Sequence, residues 1–490
     1  MYFSTIFAQD SANKRNERLL SNGLWVRLMP LIIIVRKMNV SDLYNIYLRH
    51  PQVTTDSRSL PATAPTDGSD CGIFVALKGA SFDGNKFAAM ALEHGCSHAV
   101  IDEKEYLVEG DDRYILVDNA LTTFKELARE HRRHFHIPVV GITGTNGKTT
   151  TKELVSVVLA KHYRVMHTEG NFNNDVGVPK TLLRLSAHDE IAVVEMGASH
   201  PGDIRKLVEY VEPTQGLITN VGRAHLQGFG SFEGVMQTKG ELYDWLKAHQ
   251  AEVYANLSNP HLSEMLADRH IDTVVSYGQS DALSRYQVTG RVVACNPYVK
   301  LQWEYTPEDG DNAGSRQQFD VQTQLVGTYN ADNLLAAVAV GLHNGVTPQQ
   351  VNEALADYRP TNDRSELERT ASNLLIVDAY NANPSSMAAA LDNFARITVK
   401  EPKMAILGDM RELGAASVEE HQRVVDTLET LGLTDVWLVG SEFAKTHTRF
   451  RRFGNVEEVK AAIATCKPQG KCILVKGSNG TKLFELPKLL

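Results

Sequence analysis

Residues 143–150 read Thr-Gly-Thr-Asn-Gly-Lys-Thr-Thr, which gathers two glycines, a lysine and several hydroxyls into one short stretch. That combination has the chemistry of a phosphate grip. Gly144 and Gly147 let the backbone N–H groups of the loop, those of Thr145 and Asn146 included, turn inward around phosphate oxygens. Lys148 can reach the β- and γ-phosphates, and the Thr149 hydroxyl can ligate magnesium. With Thr150 the chain enters a helix, whose N-terminus adds partial positive charge. The strict P-loop pattern asks for a glycine where Ile142 stands, so only the shorter G-x-x-G-K-T survives. The bland alternative is a glycine turn carrying an exposed lysine.

Two further candidates lie downstream. Glu195 ends the run Ile191-Ala-Val-Val-Glu195, and His225 follows Thr219-Asn-Val-Gly-Arg-Ala. In open α/β sheets ligands bind beyond the carboxyl ends of strands, where both residues fall. A carboxylate suits magnesium; a histidine is a less usual ligand for so hard a cation. Taken singly, Glu195 reads equally as a capping or surface carboxylate, and a lone His225 is more often structural than a ligand. Their shared place after a phosphate loop favours the ligand reading.

Strands must present these groups. The apolar run 137–142, leading into the loop, suits a strand buried on both faces of a parallel sheet. A helix follows with Leu154, Val155, Val158 and Leu159 on one stripe. The pattern predicts further strands at 73–77, 191–194, 216–219, 374–377, 404–407, 436–439 and 472–475, and helices at 86–94 and 418–431. Residues 306–316 read as a surface loop. Strands alternating with helices predict an α/β protein of doubly wound parallel sheets. At roughly 100–200 residues per domain, 490 residues make about three. The blocks are 38–136, 137–359 and 360–490, preceded by an extension over 1–37.

Composition narrows the class. Hydrophobic residues are 43% and charged residues 22%, the balance of a soluble globular chain. A net charge of -9 argues against a nucleic-acid partner. Cys71, Cys96, Cys295, Cys466 and Cys472 are odd in number and lack zinc spacing, so they read as reduced thiols of a cytoplasmic protein. Residues 24–35 form an apolar patch broken by Arg27 and Pro30, short of the roughly 20 residues a membrane span needs. Residues 1–37 therefore read as lying upstream of the true start or as a disordered arm, with a membrane anchor as the alternative.

Several longer motifs accompany the loop. They are Glu169-Gly-Asn-Phe-Asn-Asn-Asp-Val-Gly-Val-Pro179, Glu195-Met-Gly-Ala-Ser199 and Asn220-Val-Gly-Arg-Ala-His225. Two more are Asp378-Ala-Tyr-Asn-Ala-Asn-Pro-Ser-Ser-Met387 and Leu407-Gly-Asp-Met-Arg-Glu-Leu-Gly414. Together they resemble the Mur ligase family over residues 38–490. The resemblance implies an N-terminal substrate domain, a central P-loop ATPase domain and a C-terminal Rossmann-like domain. It implies an ATP-dependent enzyme that makes an amide bond through an acyl phosphate, adding D-alanyl-D-alanine to UDP-N-acetylmuramoyl-tripeptide. The product would serve peptidoglycan synthesis, and with it cell shape and division. The enzyme would act in the cytoplasm as a monomer, with small-molecule substrates and no stable membrane insertion.

Residue roles also follow from the resemblance. Ser57, Arg58 and Lys78 would hold the uridine end, and Asn173 and Asn174 would line the path of the sugar-peptide. Thr149, Glu195 and His225 would bind magnesium, with Lys239, carbamylated, helping to hold a second ion. Lys148, Glu195, His225 and Lys239 would form the catalytic set. Asn330 would lie near the adenine. Arg364, Asp378, Asn381, Asn383 and Lys476 would face the ATP and the incoming dipeptide. The stretch 361–366 matches the family's arginine-bearing linker only loosely.

Rival readings differ at defined positions. A ligase adding the third residue would carry Asp-Asn-Pro-Arg, whereas this chain has Asn381-Ala-Asn-Pro-Ser385. A folate ligase would show Gly-Lys-Gly in the loop, against Gly147-Lys148-Thr149. A P-loop guanine-nucleotide switch wants Asn-Lys-x-Asp; Asn13-Lys14 is followed by Arg15 and Asn16.

Overall fold

The computed structural model describes residues 38–66, 69–282, 286–307, 314–360 and 366–490. The extension 1–37 and Arg364 lie outside them. The described residues form three α/β domains in series, each built on its own sheet.

The first sheet is parallel, with strands β1 (Val53–Thr54), β2 (Ile73–Val75), β3 (His98–Ile101) and β4 (Tyr114–Leu116) in sequential order. The strand expected over 73–77 stops at Val75, because Leu77 N–H turns back to the Val75 carbonyl at 3.0 Å. The helix expected over 86–94 divides into a 3-10 turn, Gly84–Phe87, and an α-helix, Ala88–Glu93.

The central sheet has nine strands. They are β5 (Val139–Thr143), β6 (Val165–His167), β7 (Ile191–Glu195), β8 (Gln215–Ile218), β9 (Glu252–Asn256), β10 (Val275–Gln279), β11 (Val288–Cys295), β12 (Tyr298–Tyr305) and β13 (Gln317–Val326). Their order is β13-β12-β11-β10-β9-β8-β5-β7-β6. Strand β5 lies between β7 and β8, all five of its residues buried. Val139 packs into the core on one face, while Val140 and Ile142 pack into the core on the other. The helix Lys148–Leu159 covers that second face with Leu154, Val155, Val158 and Leu159. Burying each such side chain contributes about 1.5–3 kcal/mol. An all-parallel sheet was the expectation; instead β11–β12 and β12–β13 are antiparallel. Only Asn296 and Pro297 join β11 to β12, and so short a link permits nothing else, since a parallel crossover needs about a dozen residues. Of the loop expected over 306–316, residues 308–313 lie outside the described residues.

The third sheet comprises β14 (Glu366–Arg369), β15 (Leu374–Asp378), β16 (Lys403–Gly408), β17 (Val436–Val439), β18 (Arg451–Phe453) and β19 (Cys472–Lys476). Its order is β14-β15-β19-β16-β17-β18, with β14 an antiparallel edge. The four strands expected in this block each fall inside an observed one, and the expected helix is Ser417–Thr430. No helix among the described residues is long and apolar enough to cross a membrane.

Candidate active site

The carboxyl ends of β5, β7 and β8 open on one edge of the central sheet, and the third domain caps that edge. Between them lies a cleft of about 400 Å³ lined by the phosphate loop, Glu195, His225 and the stretch around Asn381.

Two glycines shape the loop. Gly144 has φ +143°, and a Cβ there would sit 2.0 Å from Thr219 Oγ1. Gly147 has φ +78°, and its Cβ would meet Asn333 Oδ1 at 2.5 Å. The left-handed backbone and the close approaches both require glycine. Lys148 Nζ donates to the carbonyls of Gly144 (2.8 Å) and Thr145 (3.0 Å), so the lysine arches over its own loop. Asn146 is held by Asn220, whose Oδ1 accepts the Asn146 N–H at 3.0 Å, and by Thr219 Oγ1, which donates to the Asn146 carbonyl at 2.6 Å.

Glu195 is almost wholly buried, yet each carboxylate oxygen has a donor. Thr149 Oγ1 reaches Oε2 at 2.9 Å and Asn173 Nδ2 reaches Oε1 at 2.7 Å. Asn174 Oδ1 accepts the N–H of Gly177, the first residue of the helix Gly177–Leu182, at 2.8 Å. His225 has a left-handed backbone (φ 50°), and its Nδ1 faces the Glu412 carboxylate of the third domain. Burial pulls the His225 pKa down, Glu412 opposes this, and Lys148 and Lys239 reinforce it.

Lys239, on the helix Phe232–Ala248, is buried, with Nζ 5.7 Å from the centre of the Phe229 ring. Burial drives its pKa well down and nearby Lys148 adds to this, against Asp203, Glu241 and Glu195. The neutral amine is the form that can combine with carbon dioxide. Among the described residues no three His, Cys, Asp or Glu side chains form a ready-made metal centre. The oxygens of Thr149 and Glu195 beside a phosphate loop nonetheless fit magnesium, which takes one or two protein oxygens and leaves the rest of its shell to phosphates and water.

The third domain meets the loop through Asn383. This residue caps the helix Pro384–Arg396: its Oδ1 accepts the Ser386 N–H at 2.9 Å, while its Nδ2 donates to Asn146 Oδ1 at 2.7 Å. Asn381, Tyr380 and Glu412 line the same cleft.

Other residues singled out in the sequence lie elsewhere. Asn330 is buried behind the loop; it accepts from Asn333 Nδ2 at 2.9 Å, and Asn333 in turn accepts from Thr151 at 3.0 Å. Asp378 and Lys476, neighbours on β15 and β19, pair with each other at 2.5 Å, and Lys476 also reaches the Asn381 carbonyl at 3.4 Å. They brace the Asn381 loop from beneath and do not line the cleft. Ser57 and Arg58 follow β1 and Lys78 follows β2, so all three sit at the carboxyl edge of the first sheet. There Arg58 pairs with Asp56 and Lys78 with Glu103.

Sequence reading missed Lys125, Lys206 and Glu412, which line the cleft, Lys125 paired there with Asp175 at 2.8 Å, and Asn333, which braces the loop from behind. Glu412 lay inside a quoted motif without a role. The two lysines sit on ordinary helix faces, where no local signal marks them.

Known proteins place this geometry. Residues 142–341 match the Mur ligase middle domain, and 363–479 match the Mur ligase glutamate ligase domain. The UDP-N-acetylmuramoyl-tripeptide–D-alanyl-D-alanine ligase of Bacillus subtilis (strain 168) is 33% identical, over 92% of this chain and 97% of its own. The crystal structure of MurF from Acinetobacter baumannii superposes with a TM-score of 0.76 at 28% identity, covering 89% of this chain and 92% of that one. MurF ligase from Thermotoga maritima, solved in complex with ADP, gives 0.76 at 26% identity, over 90% and 97%. With a curated relative matched almost end to end and two family domains in register with its second and third sheets, the chain belongs to the Mur ligase family.

Proposed function

We propose that this protein joins D-alanyl-D-alanine to UDP-N-acetylmuramoyl-tripeptide, consuming ATP and giving ADP, phosphate and the pentapeptide precursor of peptidoglycan. The observation that carries the reading is the cleft itself, in which a phosphate loop, a buried carboxylate and a third-domain asparagine pair converge. Near-complete coverage of the Bacillus subtilis ligase supports the substrate pair.

A carboxylate does not react with an amine at neutral pH, because its leaving group would be oxide. ATP removes that obstacle. A tripeptide carboxylate oxygen attacks the γ-phosphorus, the bond to the bridging oxygen breaks, and ADP leaves. The neutral amine of the dipeptide then attacks the acyl carbon of the acyl phosphate. The acyl C–O bond breaks, inorganic phosphate leaves, and one proton passes to solvent.

The chain's part is mainly positioning and charge. The N–H groups of the loop and helix start cradle the phosphates, except those of Thr145 and Asn146, which Asn220 takes through its carbonyl (2.9 Å) and its Oδ1 (3.0 Å) instead of turning inward as expected; Lys148 swings from its loop carbonyls onto the transferring phosphoryl group. Thr149 and Glu195 would hold magnesium, with His225 and a carbamylated Lys239 for a second ion; the metal supplies neutralisation of phosphate charge. The depressed Lys239 pKa supports the carbamate. Asn173 and Asn174 steer the sugar-peptide, while residues 38–136 hold its uridine end through Ser57, Arg58 and Lys78. Residues 137–359 bind ATP, with Asn330 shaping the adenine side, and residues 360–490 receive the dipeptide. We take the enzyme to work in the cytoplasm as a monomer.

Phosphate release from ATP tests the proposal. Release should require both the UDP-tripeptide and D-alanyl-D-alanine, and mass spectrometry should show the pentapeptide. Release that ignores the dipeptide, or no release with any tripeptide form, would sink it.

A further inference from the structure

Beside the main cleft lies a smaller cavity of about 210 Å³, and Asn381, Asn383, His225 and Glu412 line both. Ligand pockets for drug-sized molecules run to about 300–1,000 Å³, so this one takes a smaller solute. Arg411 and the turn Ser478-Asn479-Gly480 after β19 line this cavity but not the main cleft.

The charges in this cavity are ordered. Arg411 N–H donates to Ser478 Oγ at 3.1 Å and Arg411 Nη2 to the Gly480 carbonyl at 3.2 Å. The guanidinium lies so close over Gly480 that a Cβ there would be 2.3 Å from Arg411 Cζ. The next residue turns the other way. Glu412 has φ 63°, a left-handed backbone uncommon for a non-glycine residue, and its carbonyl accepts the Gln227 N–H at 3.3 Å. That twist sets the Glu412 carboxylate against His225 and the main cleft, which Arg411 does not line. A cation thus stands on the side away from the main cleft and an anion on the side that borders it.

We propose that this cavity seats the acceptor dipeptide as a zwitterion, Glu412 holding its ammonium at the mouth of the cleft and Arg411 its terminal carboxylate. The inference rests on the ligase reading above. The polarity is the one that amide formation needs: the amine points toward the acyl phosphate and the carboxylate points away. It makes a free C-terminal carboxylate a requirement for the acceptor, read by the fork of an arginine.

The first test needs no variant. D-alanyl-D-alanine and D-alanyl-D-alaninamide are compared as acceptors with the intact enzyme. The KM for the amide should be about tenfold higher or more, the effect of losing one charge-assisted contact. Equal KM values would overturn the proposal. Arg411→Gln should raise the KM for the dipeptide by a similar factor and abolish discrimination against the amide, and Arg411→Lys should restore part of it. Discrimination that persists in Arg411→Gln would refute the role of Arg411. Glu412→Gln should raise the KM for the dipeptide more than the KM for ATP; the reverse order would refute the role of Glu412. Hydroxylamine trapping of the acyl phosphate, with ATP and tripeptide alone, separates the two readings. Hydroxamate and pentapeptide without amide discrimination would sink only the acceptor seat, whereas the absence of both would sink the ligase reading itself.

Discussion

Asn383 performs two jobs that substitution can separate. Its Oδ1 caps the helix Pro384–Arg396, and its Nδ2 bonds Asn146 of the phosphate loop across the domain boundary. Asn383→Ala removes both. Loss of a cap costs about 1 kcal/mol, within a range of about 0.5–2. Asn383→Ser keeps the cap, since serine ranks beside asparagine there, but its hydroxyl is too short to span to Asn146. Its stability should stay within about 0.3 kcal/mol of the parent. The lost cross-domain hydrogen bond should cost about 0.5–1.5 kcal/mol, or about two- to twelvefold in kcat/KM for ATP. Guanidinium unfolding followed by circular dichroism reads the first quantity, and ADP release at saturating tripeptide and dipeptide reads the second. A serine variant as active as the parent would show that the link to Asn146 does nothing for turnover. A serine variant as unstable as the alanine variant would show that the helix does not depend on this cap.

Three other outcomes are expected. Lys239→Ala should lower turnover about a hundredfold or more, as loss of a charge-stabilising group at the reacting centre does, and the parent enzyme grown with 13C-bicarbonate should show a carbamate carbon by NMR; neither effect means an ordinary lysine. Glu195→Gln keeps hydrogen-bonding capacity toward Thr149 but removes the charge, so the magnesium needed for half-maximal rate should rise about tenfold or more, and an unchanged requirement would remove Glu195 from the metal site. Glu212 joins the first and central domains: burial works against its charge, but Arg133 and Arg129 outweigh this and hold its pKa below the usual value. A lowered carboxylate pKa stabilises the fold above the unfolded value of about 4.3 and loses that benefit as pH falls through the folded one. Glu212→Gln should therefore be less stable than the parent at pH 7, and the gap should close in acid; a gap independent of pH in urea unfolding would refute the ion-pair account.

The sequence alone determined the features that are local. A strand, a glycine loop and a helix start within about twenty residues declare themselves, because burial on both faces forces an unbroken apolar run in β5 and the left-handed turn at Gly147 favours glycine. The third-domain strands were legible for the same reason. Only the tertiary structure decided which distant groups meet. Asn146 and Asn383 are 237 positions apart, and nothing near either residue marks the other. Asp378 and Lys476 looked like cleft residues until neighbouring strands paired them at 2.5 Å, since a buried lysine needs a carboxylate more than a ligand does. The antiparallel hairpin β11–β12 escaped because its two residues, Asn296 and Pro297, do not spell a standard hairpin turn. Arg411 and Glu412 were visible as a motif, yet their opposed directions come from the left-handed backbone at Glu412 and its bond to Gln227, which only the packing of the third domain on the central one supplies.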